Sequence, residues 1–222
     1  MKNGKYCSSK KAMKPLAVLL AMILLVGCAV GGTLAWLTAQ TTEVKNTFTS
    51  AKLFDAPENE FTLWEHEAVL GTDGQYTLNS TEVQANTYKI LPGVNIPKDP
   101  TVDIEKLQEN AYLYIKVAST LPVGLTYSID SANWTELGDD YPGVYVYSGT
   151  HADTSKVIKA TKMDPKTFTA TILTNDQIVV AADYSGTGEV TLSFNAYMVQ
   201  ATGNGANAAD AWANTYGATT TP

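Results

Sequence analysis

Side chains that commonly carry chemistry are sparse in this chain, which has two histidines, two cysteines and a few adjacent acids. Glu65-His66-Glu67 is the one place where an imidazole stands between carboxylates. A zinc helix sets two imidazoles on one face at i and i+4, but Ala68-Val69-Leu70 follow here and His151 is the only other histidine. A Ser-His-Asp relay would have to recruit His66 or His151, and no Gly-x-Ser-x-Gly elbow stands near either. Both histidines read as solvated groups in polar, loop-like surroundings. Asp139-Asp140 has the composition of a glycosidase or calcium site, yet no twelve-residue ligand loop follows, and the pair reads as an acidic turn. Trp134, Tyr141, Tyr145 and Tyr147 suit either stacking on sugar rings or packing within a sheet. These patterns point to a protein that is not an enzyme and needs no cofactor or metal.

Charge narrows the partners. All 15 basic residues are Lys, and five of them (Lys2, Lys5, Lys10, Lys11 and Lys14) precede the first acid. The remaining ten face 22 acids, leaving the chain beyond the basic cluster near −12. Such a surface repels phosphate backbones and has no guanidinium fork to read bases, so nucleic acid is not an expected partner.

The basic cluster leads into an apolar run, Pro15 to Val30, that matches the positive and hydrophobic regions of a secretory signal. Sixteen apolar residues are short of the roughly 20 that a permanent span needs. Thr33-Leu34-Ala35 supplies small residues at −3 and −1, which predicts cleavage between Ala35 and Trp36 and a signal peptide over 1–35. Two competing readings remain. Leu25-Val26-Gly27-Cys28 also fits a lipobox, in which Cys28 carries the lipid, and an uncleaved helix from Pro15 to Leu37 would tether the chain. In the cleaved reading both cysteines, Cys7 and Cys28, are lost, and the exported domain has no disulfide.

Beyond the leader, short runs rich in Val, Ile, Thr, Tyr and Phe alternate with turn clusters, which predicts an all-β domain over 50–216. Strands are expected at 44–54, 75–78, 83–91, 101–107, 111–119, 125–129, 144–147, 167–173 and 189–200. Gly71-Thr72-Asp73-Gly74, Tyr141-Pro142-Gly143 and Tyr184-Ser185-Gly186-Thr187-Gly188 supply turns. In Tyr112 to Val117, Leu113, Ile115 and Val117 share a core face while Tyr112, Tyr114 and Lys116 share a solvent or interface face. One helix is expected at 206–214, with Trp212 as its anchor, ahead of a disordered tail over 217–222.

Several segments carry a resemblance. Gly31-Gly32-Thr33-Leu34-Ala35-Trp36-Leu37-Thr38 and Val44-Lys45-Asn46-Thr47-Phe48-Thr49 are similar to the signal and mature start of the TasA/camelysin family of Gram-positive biofilm matrix proteins. Leu91-Pro92-Gly93, Lys98-Asp99-Pro100-Thr101-Val102, Ala111 to Val117, and Phe194 to Gln200 leading to Ala211-Trp212 extend the likeness. The resemblance implies a jelly-roll-like β-sandwich behind an N-terminal signal helix, cut by a dedicated signal peptidase. It further implies a secreted fibre subunit whose N-terminal segment, 36–49, leaves its own domain and completes the sheet of a neighbouring copy. Trp36, Val44 and Phe48 would anchor that donor strand, and polysaccharide or a minor matrix subunit would be further partners. The reading from another class is a tethered adhesion or ligand-binding module held at Cys28 or by an uncleaved helix. Some camelysin relatives are described as metallopeptidases, a role for which Glu65-His66-Glu67 lacks the second imidazole.

Overall fold

The computed structural model describes residues 38–40, 52–160 and 167–217, all within the compact unit Trp36–Pro222. The leader over 1–35 with Cys28 and Ala35, the anchors Trp36, Val44 and Phe48, and the tail after 217 lie outside the described residues.

Twelve strands, two α-helices and a short 3₁₀ helix (Thr174–Asp176) are described: β1 Thr38–Gln40, α1 Pro57–Glu60, β2 Phe61–Leu70, β3 Tyr76–Val83, β4 Ile96–Pro97, β5 Thr101–Glu105, β6 Ala111–Ser119, β7 Leu125–Thr126, β8 Trp134–Glu136, β9 Val144–Tyr147, β10 Thr167–Thr171, β11 Gln177–Val180, β12 Leu192–Gln200 and α2 Ala208–Tyr216. They form sheets of order β1-β12-β6-β9-β8, β10-β5-β2-β3 and β4-β11-β7. Every strand pairing among the described residues is antiparallel. The protein is therefore all-β with one short C-terminal helix.

Period-two alternation explains how the two larger sheets meet. Leu113 and Ile115 of β6 and Ala196 and Met198 of β12 face one way, and Phe61, Val102, Ile104, Phe168 and Ala170 of the other sheet face them in a single buried cluster. Each large aliphatic or aromatic side chain so buried contributes about 1.5–3 kcal/mol.

The opposite face of the five-stranded sheet is also covered. Tyr112 and Tyr114, expected on a solvent or interface face, are buried beneath α2 together with Val146, Val199 and Trp212. Tyr114 lies 5.2 Å from Trp212, and its hydroxyl donates to the Ala208 carbonyl at 2.8 Å. Burial pushes the pKa of that phenol up. The helix starts where Asn207 accepts from the Asp210 N–H at 3.0 Å, an N-cap that satisfies one of the orphan amides of the first turn. Trp212 is its anchor, and the helix runs two residues later than the sequence predicts.

Turn chemistry follows the residue types. In Leu91-Pro92-Gly93 the Val94 N–H returns to the Leu91 carbonyl at 3.0 Å, with Gly93 at φ +73°, where a side chain is strained. Gly143, at φ +75°, leaves its Cα only 2.9 Å of Cβ room from the Val117 carbonyl oxygen, so no larger residue fits that turn unchanged.

The expected strands at 111–119 and 144–147 have the observed bounds, and those at 101–107, 125–129, 167–173 and 189–200 are shorter. The expected strand at 83–91 is replaced by an irregular segment, in which Asn86 bridges the Ala68 N–H (2.8 Å) and the His66 carbonyl (2.8 Å). That at 44–54 lies mostly outside the described residues, and its described end, Lys52 to Phe54, is not strand although Leu53 and Phe54 are buried. Strands β2, β4, β8 and β11 were not expected.

Candidate functional site

β12 is the central element of the site. One edge pairs with β6 along its whole length, from Leu192 with Ser119 to Gln200 with Ala111. On its other edge Thr38, Ala39 and Gln40 pair with Val199, Met198 and Tyr197. Three residues of the expected donor segment, Thr38 to Gln40, thus lie antiparallel against the sheet of their own chain, and the β12 edge beyond Tyr197 runs on to Leu192.

At that end the two larger sheets part. Two adjoining cavities of about 240 and 360 Å³ share Asn86, Lys98, Leu192 and Ser193. One wall is the run Gly188 to Asn195, which leads into and forms the first half of β12; the facing wall is the segment from Val83 to Tyr88. Aliphatic residues such as Ile90, Ile96, Leu125, Ile178 and Val190 floor the far part. A slot bordered on one side by the β12 backbone and floored by apolar side chains has the chemistry for an added β-strand, which takes main-chain hydrogen bonds from an edge and seats alternate side chains.

One charged group lies at the junction, Lys98. Lys98 Nζ is 2.6 Å from Glu65 Oε2, with side-chain exposures of 10% and 7%. The ammonium is also 5.9 Å from the ring centres of both Tyr88 and Phe194. Glu65 is on the inward face of β2, where alternation from Phe61 and Leu63 would place an apolar residue, so its charge is tolerable only because Lys98 reaches it. The Tyr88 phenol donates to the Pro97 carbonyl at 3.0 Å, and burial, with Glu65 and Asp99 nearby, pushes its pKa up.

On the outward face of the same sheet, His66 Nδ1 is 2.5 Å from Asp99 Oδ2, and Trp64 Nε1 donates to Asp103 Oδ2 at 2.7 Å. His66 is thus a strand residue tied to a carboxylate, which corrects its reading as a solvated loop group. Its backbone N–H also bonds Asp99 Oδ1 at 3.0 Å, so Asp99 clamps β2 to the entry of β5. His151 is exposed and stacks on Phe168 at 4.4 Å. The two histidines are not brought together, and among the described residues no group of three or more His, Cys, Asp or Glu is placed to hold a metal ion.

The sugar-stacking candidates divide. Trp134 and Tyr147 are buried in the main core, 5.5 Å apart and edge to face, while Tyr141 and Tyr145 are only half-buried. The four therefore form no exposed platform, and packing is the role of the first two. Asp139 and Asp140 lie in the exposed turn between β8 and β9.

Sequence reasoning missed the groove and its ion pair. The one available signal was Lys98 itself, flanked by prolines in Pro97-Lys98-Asp99-Pro100, a stiff segment that fixes where the side chain points. Comparison of the chain with protein-family models, with curated proteins and with solved structures returns no match.

Proposed function

We propose that this protein is a secreted structural subunit of extracellular matrix fibres, assembling by exchange of its N-terminal strand between copies, as the resemblance to the TasA/camelysin family implies. In this reading the sheets form a jelly-roll-like sandwich, a signal peptidase cuts after Ala35, and the segment from Trp36 to Thr49 is the donor. It acts through sheet edges rather than through an enzyme site.

The observation that carries the reading is the layout of β12. Its Gln200 end, beside Ala111, is where the N-terminal segment rejoins the domain: the Gln108 N–H bonds the Leu53 carbonyl at 2.9 Å. The groove lies at the other end, along Gly188 to Asn195. A donor that leaves at one end and a slot that opens at the other make a contact between unlike surfaces, and such a contact repeats into a filament when it does not close.

Reach favours exchange over self-filling. Were one chain to lay position 45 opposite its own Leu192, the eight steps back to Leu53 would span at most about 29 Å. The eight steps from Leu192 to Gln200 already cover about 27 Å, and a perpendicular offset of ~10 Å between sheets brings the distance to about 29 Å, which takes up the whole reach and leaves no residue free to turn. A second copy has no such constraint. It also restores the three rungs that β1 gives up, so the filled groove is the net gain.

The test is electron microscopy and sedimentation of chains beginning at Trp36 and at Ser50. The first is expected to form filaments and the second to stay monomeric with an unchanged far-UV spectrum. Filaments from the shorter chain would refute the reading.

A further inference from the structure

The outermost strand of a sheet carries a row of unpaired N–H and C=O groups that takes up any strand laid along it. In the two larger sheets the strands at the ends of the order are β1, β8, β10 and β3, with three, three, five and eight residues. At β10 the Thr171 carbonyl is already taken by Trp134 Nε1 at 2.8 Å. β3 is the long one, and its Tyr, Thr, Leu and Val are good strand formers. Among the described residues no main-chain hydrogen bond joins its outer edge to another segment. Charge does little to guard it, since Glu82 is the one charged residue of the strand. A straight β3 would be a template for the same edge of a second copy, because two identical antiparallel edges complement each other about a two-fold axis.

The edge is not straight. Leu78 opposes Ala68 and Glu82 opposes His66, so Asn79, Ser80 and Thr81 together stand opposite the single residue Glu67. Asn79 holds this bulge with both ends of its side chain: Oδ1 accepts the Thr81 N–H at 2.7 Å, and Nδ2 donates to Glu67 Oε2 at 2.6 Å. The Thr81 amide is thereby spent within the bulge, and the regular edge is cut into Tyr76–Leu78 and Glu82–Val83. We propose that this bulge closes the β3 edge to a second copy of the chain and so prevents edge-to-edge pairing there. The inference stands apart from strand exchange, since β3 and β12 belong to different sheets. In a filament joined through β12, the same bulge keeps neighbouring filaments from fusing side by side.

Deleting Ser80 and Thr81 sets Asn79 opposite Glu67 and leaves every other residue on its present face, because two residues are one period of a strand. In the chain beginning at Trp36, the deletion is expected to raise the associated fraction at least tenfold over the parent at equal concentration. Sedimentation reads this for a monomeric parent, and electron microscopy shows laterally fused sheets where the parent is filamentous. Adding Thr77→Lys, at an exposed residue of the same edge, should return association to the parent's level, which it would not do for a misfolded aggregate. Asn79→Val keeps the chain length and frees the Thr81 N–H, so it should shift association in the same direction by a smaller factor, even if the shortened hairpin fails to fold. The proposal is overturned by a shortened chain with an unchanged far-UV spectrum and the parent's association, or by association that Thr77→Lys leaves intact. It is equally overturned if the deletion unfolds the chain and Asn79→Val associates no more than the parent. Every comparison is made against the parent chain, so filaments from the chain beginning at Ser50, which would refute strand exchange, leave this result readable.

Discussion

Removing the Lys98 ammonium while leaving Glu65 in place is the sharpest perturbation of the groove. Nζ and Oε2 are 2.6 Å apart and both side chains are about nine-tenths buried, so Lys98→Met strands a carboxylate in a low-dielectric site. Breaking one side of such a pair typically costs about 3–5 kcal/mol. In a domain of this size 1 kcal/mol moves the melting midpoint by roughly 2–4 °C, so a fall of roughly 6–20 °C is expected. Glu65→Leu alone should be of similar size, since it leaves the ammonium against Tyr88 and Phe194. The double variant replaces the pair by apolar groups and should recover most of the loss, because buried pairs are often matched by well-packed hydrophobic residues. Urea unfolding of the four proteins, followed by tryptophan fluorescence, gives the coupling energy of the cycle. Single losses under about 1 kcal/mol, or a double variant whose loss equals the sum of the singles, would refute the description of this pair as buried and coupled.

Two further outcomes concern the rest of the domain. Trp212→Ala removes the ring that closes α2 over Tyr114 and Tyr197, and should destabilise by about 3–5 kcal/mol in the same assay, with partial loss of helical signal. Asp103 is pushed toward a higher pKa chiefly by burial, with Glu82 and Glu105 adding to the shift against the Trp64 hydrogen bond. For a raised acid the native state is disfavoured above the folded pKa and recovers as pH falls through it. Asp103→Asn should therefore melt higher than the wild type near pH 7, with the gap closing on acidification toward about pH 4; a gap that widens in acid would contradict this.

Local pattern was enough for some elements and not for others. β6 and β9 are short runs of β-branched and aromatic residues with clean alternation, and their bounds were legible. The Ala-rich run around Trp212 likewise announced α2, whereas its start at the Asn207 cap was not read from the sequence and the expected bounds fall two residues early. β2 was hidden because Glu65-His66-Glu67 interrupts its apolar alternation, and each exception is resolved by a partner distant in sequence: Lys98 for Glu65 and Asp99 for His66, both 33 residues away. The segment after Val83 fails as a strand for a related reason, since Asn86 bonds the backbone of β2 with its side chain. The groove could not be read in advance, because its walls are brought together only by folding. Tyr112 and Tyr114 were assigned to an open face because nothing in β6 itself reveals the helix that covers them.

The direction of the β1–β12 ladder has a mechanical consequence. Its rungs, from Thr38 with Val199 to Gln40 with Tyr197, lie side by side along β12. A pull on the following chain parallel to β12 loads these rungs in shear, all at once, whereas a pull across the sheet would unzip them singly. A strand held in this way yields to sideways peeling long before it yields to stretching.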